Sequence, residues 1–220
     1  MFYSSYGSLM HEIIADYYRH KVPKDQMPVK FLTAYREKVG GDRPDAKIVE
    51  RYVADGLGYL RDFRPFDCEP LEIESRYAFR IKGIPFVGFI DFLGEKDGGK
   101  VVIDHKSRAL KPRSGKEKLT ANDREINEMM KQLYVYAEAV RQRHGDYPGK
   151  LCLNCFRTGN LIEEGFDAGR CREAVEEAAD TVREIESARD FPPRPDYYMC
   201  RYLCGVHNEC CYYLEDINRI

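Results

Sequence analysis

Polar and apolar residues alternate in the first half of the chain. Over residues 72–82 the odd positions are apolar apart from Ser75, and the even positions are mostly charged. Turns at residues 82–85 and 95–99 separate this stretch from two further apolar runs. The Asp-Gly and Gly-Gly pairs of the second turn accept the positive φ that a hairpin needs. The pattern predicts three successive, mostly antiparallel strands.

Longer stretches repeat their apolar residues at helical spacing. They predict helices over residues 8–19, 44–63, 120–143 and 167–190. The third helix has the strongest signals, because Thr120 and Asp123 form a capping-box pattern at its start, with Asp in place of Glu. Residues 22–41 contain two prolines and predict a loop with a short helix inside it. A strand over 150–157 and its hairpin partner over 161–163 complete the pattern.

The composition is that of a globular protein, with 220 residues, 43% hydrophobic and 33% charged. No apolar run reaches the length of a membrane span, and the N-terminus lacks a basic-then-apolar secretory pattern. We therefore expect a cytoplasmic protein without membrane contact. The formal net charge of −2 argues against a protein that coats nucleic acid by charge alone, but it allows a local basic groove.

The second and third predicted strands carry a group of residues with a common chemistry. Asp91 lies on one, and Asp104 and Lys106 lie on the next, where residues two apart share a face. Paired carboxylates bind hard divalent cations, and a neighbouring ammonium group orients water or balances phosphate charge. We predict phosphodiester hydrolysis, with Asp91, Asp104 and the backbone carbonyl of His105 as ligands of Mg²⁺ or Mn²⁺.

The sequence around these residues resembles a known family. Gly-Phe-Ile-Asp at 88–91 and Val-Ile-Asp-His-Lys-Ser at 102–107 are similar to the RecB-like branch of the PD-(D/E)XK nuclease superfamily. The resemblance implies a restriction-endonuclease-like α/β fold, in which helices flank a mixed central β-sheet. It also implies a metal-dependent nuclease.

Two further motifs extend the resemblance along the chain. A single histidine on an early helix is most often a satisfied surface or core residue, but the family places one there, and His11 is implied to approach the catalytic metal. Gln132 and Tyr136 lie four apart on one helix face. Such a pair alone indicates packing, yet the family's Gln-x-x-x-Tyr implies that both residues position DNA near the scissile phosphate.

Charged residues near Asp91, Asp104 and Lys106 in the sequence have two interpretations. Residues 106–118 contain six basic residues and one acidic residue, and they read equally well as a solvated loop or as a phosphate-binding segment that includes Arg108 and Lys111. Glu72 and Glu74 could supply another acid to the metal, but an exposed strand face explains them as well. We leave both glutamates outside the predicted site.

The C-terminal region is rich in cysteine. Cys200, Cys204, Cys210 and Cys211 surround His207, and so dense a group of thiols indicates bound metal. Zn²⁺ could take three of the cysteines and His207, whereas an iron–sulfur cluster needs four thiolates. A disulfide is disfavoured in the cytoplasm.

Family resemblance favours a [4Fe–4S] cluster over Zn²⁺ in this region. The resemblance implies three C-terminal cysteines and one that precedes the first catalytic helix. Only ten residues precede His11, and none is cysteine, so the fourth ligand would be Cys211, Cys68 or a residue outside this chain. We expect the N-terminal lead-in to be missing, through truncation or the choice of start codon.

These observations predict a nuclease domain over residues 1–195 and a metal-binding tail over 196–220 packed on it. The predicted activity is an exonuclease that acts on DNA ends or single strands in recombination, repair, or phage or CRISPR DNA processing. A helicase, a recombinase or a CRISPR adaptation complex is the expected class of partner. The alternatives are a catalytically silent DNA-binding or scaffold subunit, and a zinc-stabilised module whose Asp and Lys pattern is coincidental.

Overall fold

Five strands form a single sheet in the computed structural model, which describes residues 2–40, 44–194, 196, 199–200, 204–206 and 209–212. The strands are β1 (Glu69–Ile81), β2 (Ile84–Lys96), β3 (Gly99–Lys106), β4 (Lys150–Cys155) and β5 (Asn160–Gly165). They lie in chain order across the sheet. Only β3 and β4 are parallel, and the other neighbouring pairs are antiparallel. A parallel pair needs a long crossover connection, which here contains a helix.

Helices cover both faces of this sheet. They are α1 (Phe2–Tyr18), α2 (Met27–Lys38), α3 (Ala46–Arg61), α4 (Ala121–His144) and α5 (Ala168–Ser187). The first three share a core with one face, which includes Ile103 and Cys152, while α4 and α5 share a core with the other, which includes Val102 and Leu151. The alternating pattern of β3 and β4 thus separates two cores. The predicted α/β fold with a mixed central sheet is confirmed.

Tertiary packing extends α1 beyond the predicted start at residue 8. The helix begins at Phe2, whose ring lies 5.6 Å from that of Tyr52 on α3. The hydroxyl of Tyr6 donates a hydrogen bond to the Tyr52 carbonyl at 2.8 Å. These contacts bury the Phe2 and Tyr6 side chains at the start of α1. No local sequence signal encodes them, because the partner residues lie about 50 positions away.

The predicted capping box is present at the start of α4. The Thr120 hydroxyl accepts from the Asp123 backbone N–H at 3.2 Å, and Asp123 accepts from the Thr120 N–H at 2.9 Å. Asp123 also accepts from both the backbone N–H and the hydroxyl of Ser114, which ties the preceding loop to the helix. Hydrogen bonds from Ser114 and Thr120 lower the pKa of Asp123, so the carboxylate stays charged at neutral pH.

The alternation along β1 changes face at Glu74, contrary to the predicted single apolar face. Ile73 packs in the core of α1–α3, whereas Tyr77 lies in the core of α4 and α5, although both are odd-numbered. Glu74 has φ 50°, a left-handed conformation that is uncommon for a non-glycine residue. On β2 the same change occurs between Ile90 and Leu93, around Asp91. Both strands therefore rotate at one level of the sheet.

No helix in the described ranges combines the length and the apolarity that a bilayer crossing requires.

Removal of the Thr120 hydroxyl should weaken the start of α4. The Thr120→Ala variant is expected to lose about 1 kcal/mol of unfolding free energy, measured by chemical denaturation, because the N-cap hydrogen bond is lost. Thr181→Ala is the matched control, since this exposed threonine lies within α5 and bonds only to the Glu177 carbonyl of the same helix. Equal unfolding free energies for the two variants would contradict the capping role.

Candidate active site

Two adjacent interior strands bring the two predicted aspartates together where the strands separate. Asp91 on β2 is 8% exposed and Asp104 on β3 is 4% exposed. The regular β2–β3 pairing ends at Phe92 and Ile103, and beyond it the Asp91 carboxylate accepts the His105 N–H at 2.7 Å. The side chain of Asp91 thus replaces a backbone partner at the point where the strands separate.

His11 on α1 reaches this point from one face of the sheet. Its Nε2 donates to the His105 carbonyl at 3.1 Å, and its Nδ1 lies 3.5 Å from an Asp91 oxygen and 3.6 Å from a Glu74 oxygen. Burial lowers the pKa of His11, but the two carboxylates outweigh it and raise the pKa to about 10. Burial likewise raises the pKa of Asp91, yet His11 and His105 lower it below its usual range.

Glu74 lies beside His11 and Asp91, although the sequence left it outside the predicted site. The register of β1 and β2 places it opposite Asp91, between the pairs Ile73–Phe92 and Ser75–Ile90. Its Oε1 is buried and accepts no hydrogen bond from the described part of the chain. Strand alternation alone assigned Glu74 to solvent. The backbone is left-handed at this residue, which no pattern in the sequence predicts, and this conformation directs the Glu74 side chain inward.

A chain of polar contacts links Asp104 to α4. Lys106 Nζ lies 2.7 Å from Asp104 Oδ2 and donates to Gln132 Oε1 at 2.8 Å. Gln132 Nε2 in turn donates to the Tyr136 hydroxyl at 2.7 Å. Burial raises the pKa of Asp104 above its ordinary value; the Lys106 ammonium opposes this change, and the charge of Asp91 adds to it. The predicted Gln132 and Tyr136 pair therefore lies beside the predicted lysine.

Gly88 allows the ring of Tyr136 to approach β2. A Cβ atom at Gly88 would stand 2.8 Å from Cε1 of Tyr136, closer than carbon atoms tolerate. Gly88 belongs to the family-like Gly-Phe-Ile-Asp motif, but the sequence analysis gave it no role. A glycine inside a strand is the signal that could have identified such an approach.

The His105 side chain supports the site from behind. Its imidazole is buried, and burial lowers its pKa to about 3, so the ring is neutral. Asn154 Nδ2 donates to His105 Nδ1 at 3.1 Å, and the ring of Phe66 lies 5.8 Å from the imidazole. These contacts fix the backbone carbonyl of His105, the atom that the sequence analysis proposed as a ligand.

The basic segment after β3 is held against α4. The Arg108 guanidinium lies 3.5 Å from Glu125, and the backbone N–H of Lys111 donates to Asn122 at 3.0 Å. Arg113 donates to Asn127 and Glu164. The Lys111 side chain is exposed. The segment is thus tethered, and the predicted phosphate-binding roles of Arg108 and Lys111 stay predictions.

The cysteine-rich tail is described only in part. Cys200, Cys204 and Cys210 are half-buried and Cys211 is exposed, and His207 lies outside the described residues. Cys68 packs at the edge of the core of α1–α3, where a Cβ at Gly94 would stand 2.6 Å from its sulfur. The tail's metal therefore stays a prediction.

The residues at the point where β2 and β3 separate fit a divalent cation. One ligand atom each from His11, Glu74 and Asp91 lies within 4.8 Å of the others, the only such group of three among the described residues. Asp104 adds a buried carboxylate, whose Oδ2 already contacts the Lys106 ammonium group at 2.7 Å. A ligand set of carboxylates and an imidazole suits Mn²⁺. A set with a larger share of oxygen ligands suits Mg²⁺.

The family of the chain follows from its match to a protein-family model. No curated protein matches the sequence significantly. The crystal structure of a candidate exonuclease from Eubacterium rectale superposes over 93% of this chain and 74% of its own, with 13% identity and a TM-score of 0.49. The family model of the PD-(D/E)XK nuclease superfamily matches residues 2–211. Because this match spans the whole sheet and every residue of the site, the chain belongs to the PD-(D/E)XK nuclease superfamily.

Proposed function

We propose that the protein is a divalent-metal-dependent deoxyribonuclease, and that it acts as an exonuclease on DNA ends or single strands. The observation that carries this proposal is the convergence of Asp91, Asp104 and Lys106 where β2 and β3 separate, with His11 above them. Superfamily membership supports the same reaction class.

Asp91 and Asp104 would hold the cation together with the His105 carbonyl and His11, and Glu74 would complete the set. When bound, the cation lowers the pKa of a coordinated water and polarises the scissile phosphate. Coordination through His11 requires loss of the proton that Asp91 and Glu74 stabilise on its ring. The three carboxylates offset the positive charge of the cation.

Lys106 would act on the phosphate itself. Its ammonium group is one-fifth exposed and is oriented by Asp104 and Gln132, so it can point a donor at an attacking water or a phosphate oxygen. Gln132 and Tyr136 would hold the substrate strand beside it, since both carry hydrogen-bond donors close to the Lys106 ammonium group. Arg108 and Lys111 would contact phosphates farther along the strand.

The biological setting is part of the same proposal. DNA recombination, repair, and phage or CRISPR processing fit a nuclease domain over residues 1–195, with a helicase, recombinase or adaptation complex as partner. We assign residues 196–220 to a tail that binds [4Fe–4S] or Zn²⁺. The resemblance of the motifs supports both assignments.

Loss of the Asp104 charge should abolish cleavage. The Asp104→Asn variant is expected to cut end-labelled single- and double-stranded DNA at least about 100-fold more slowly than the parent in Mg²⁺ or Mn²⁺, because a cation ligand is lost. Chelator should stop the parent. Asp180→Asn, an exposed aspartate on α5, is the control and should cut normally. Cleavage by Asp104→Asn at the parent rate would refute the site, and a folded parent that never cuts would indicate a silent subunit.

Glu74 should contribute to cation affinity. Titration calorimetry with Mn²⁺ is expected to show about tenfold weaker binding for Glu74→Gln, because the variant keeps the shape of the side chain but removes one negative charge. Glu69→Gln on the same strand removes an exposed charge and serves as the control. Equal affinity for the two variants would exclude Glu74 from the ligand set.

Gly88 should act through Tyr136. In Gly88→Ala the new methyl group displaces the tyrosine ring, so we expect slower cleavage of DNA at saturating substrate. The double variant Gly88→Ala with Tyr136→Ala should be no slower than Tyr136→Ala alone, because the clash is gone. If the losses of cleavage rate in the two single variants add up in the double variant, Gly88 does not act through Tyr136. Gly58→Ala on α3 is the control, since a Cβ there meets no atom within 4 Å.

A further inference from the structure

The hairpin of β1 and β2 continues past the active site as a two-stranded ribbon. β2 pairs with β3 only from Phe92 to Lys96, whereas it pairs with β1 as far as the turn at Ile81 and Ile84. Beyond Asp91 the ribbon has α4 on one face, where Tyr77 and Ile90 are buried. Its other face has no helix above it in the described part of the chain, since every residue directed there is exposed.

This second face, which we call the ribbon face, has an unusual composition. It consists of Arg76, Ala78 and Arg80 on β1, and of Pro85, Val87 and Phe89 on β2. Phe89 is 54% exposed and Val87 is 56% exposed. The register pairs Arg76 with Phe89, Ala78 with Val87 and Arg80 with Pro85 across the strands. The face is thus apolar and cationic, and none of its six residues is acidic.

Two arginines supply the positive charge of the ribbon face. The Arg76 guanidinium makes no hydrogen bond or ion pair with any other residue that the structure describes. Arg80 donates to the Gly83 carbonyl at 2.6 Å within the hairpin. Arg76 therefore keeps its donors available beside the Phe89 ring. An anionic partner with flat apolar groups complements this combination.

The ribbon face is continuous with the catalytic acids. Phe89 and Asp91 are two residues apart on β2, on the side of the strand opposite to Ile90, so their side chains point the same way. The strand rise places them about 7 Å apart along β2. A nucleic-acid strand whose phosphate lies at Asp91 therefore has its neighbouring nucleotides over this face.

We infer that the ribbon face is a stacking platform for single-stranded DNA. Bases next to the scissile phosphate stack on Phe89 and contact Val87, while Arg76 pairs with a backbone phosphate. Bases in a duplex are stacked on each other and cannot use the ring, so the platform favours unpaired ends. The inference deepens the proposed nuclease function and rests on it for the position of the strand.

Binding can be measured without cleavage in the Asp104→Asn chain. Fluorescence anisotropy would compare a labelled single-stranded oligothymidylate with a blunt hairpin duplex of equal charge. Phe89→Ala is expected to weaken single-strand binding about tenfold, the range for loss of one base–aromatic stack, and to change duplex binding little. Phe89→Tyr should retain the affinity and Phe89→Leu should not, because only the former keeps a ring. Arg76→Gln should weaken single-strand binding and reduce its salt dependence.

Phe191→Ala is the matched control, because Phe191 is 67% exposed and lies after α5. The platform is overturned if Phe89→Ala binds single strands as tightly as this control does. It is also overturned if the substitution weakens the binding of single strands and of duplex equally. A change from dimer to monomer in Phe89→Ala, seen by light scattering, would assign the face to a second copy of the chain instead. If the parent binds single strands through Phe89 but never cuts, the nuclease proposal fails while the platform stands. If the parent cuts and Phe89→Ala has no effect on single-strand affinity, the platform alone fails.

Discussion

Three carboxylates, two of them buried, lie near one another where β2 leaves β3, and this concentration of negative charge is the constraint on which the site depends. Glu74, Asp91 and Asp104 would repel one another strongly in a medium of low dielectric constant. Two cations offset the repulsion from opposite faces of the sheet, His11 from α1 and Lys106 from β3 itself. The arrangement explains why the pKa of His11 is raised. Burial is the main reason why the pKa of Asp104 is raised, and the charge of Asp91 adds to it.

A change of strand face makes this concentration of charge possible. In a regular hairpin, each carboxylate would alternate with apolar neighbours and point to one core or the other. The left-handed backbone at Glu74 and the separation of β2 from β3 at Asp91 bring both side chains to His11. The same rotation moves the later part of the hairpin under α4. One local irregularity therefore builds the site and exposes the ribbon face beside it.

Much of the site was predictable because its residues lie close together in sequence or at fixed helical spacing. Asp104 and Lys106 are two apart on one strand, and Gln132 and Tyr136 are four apart on one helix, so local geometry alone groups each pair. The capping box of α4 and the Asp-Gly turn could be predicted from the sequence for the same reason. Glu74 and Gly88 were missed because their roles depend on a backbone conformation and a distant ring, neither of which periodicity encodes.

The sequence by itself determined the order of helices and strands, the mixed α/β fold, and the family-like motifs whose residues form the candidate site. These follow from patterns with periods of two and of about 3.6 residues, which act over a few positions. Only the tertiary structure decided that α1 starts at Phe2, that Glu74 joins His11 and Asp91, and that Tyr136 rests on Gly88. Each of these depends on contacts between residues about 15 to 80 positions apart, and the burial that fixes such contacts exists only once the sheet and its helices are packed together.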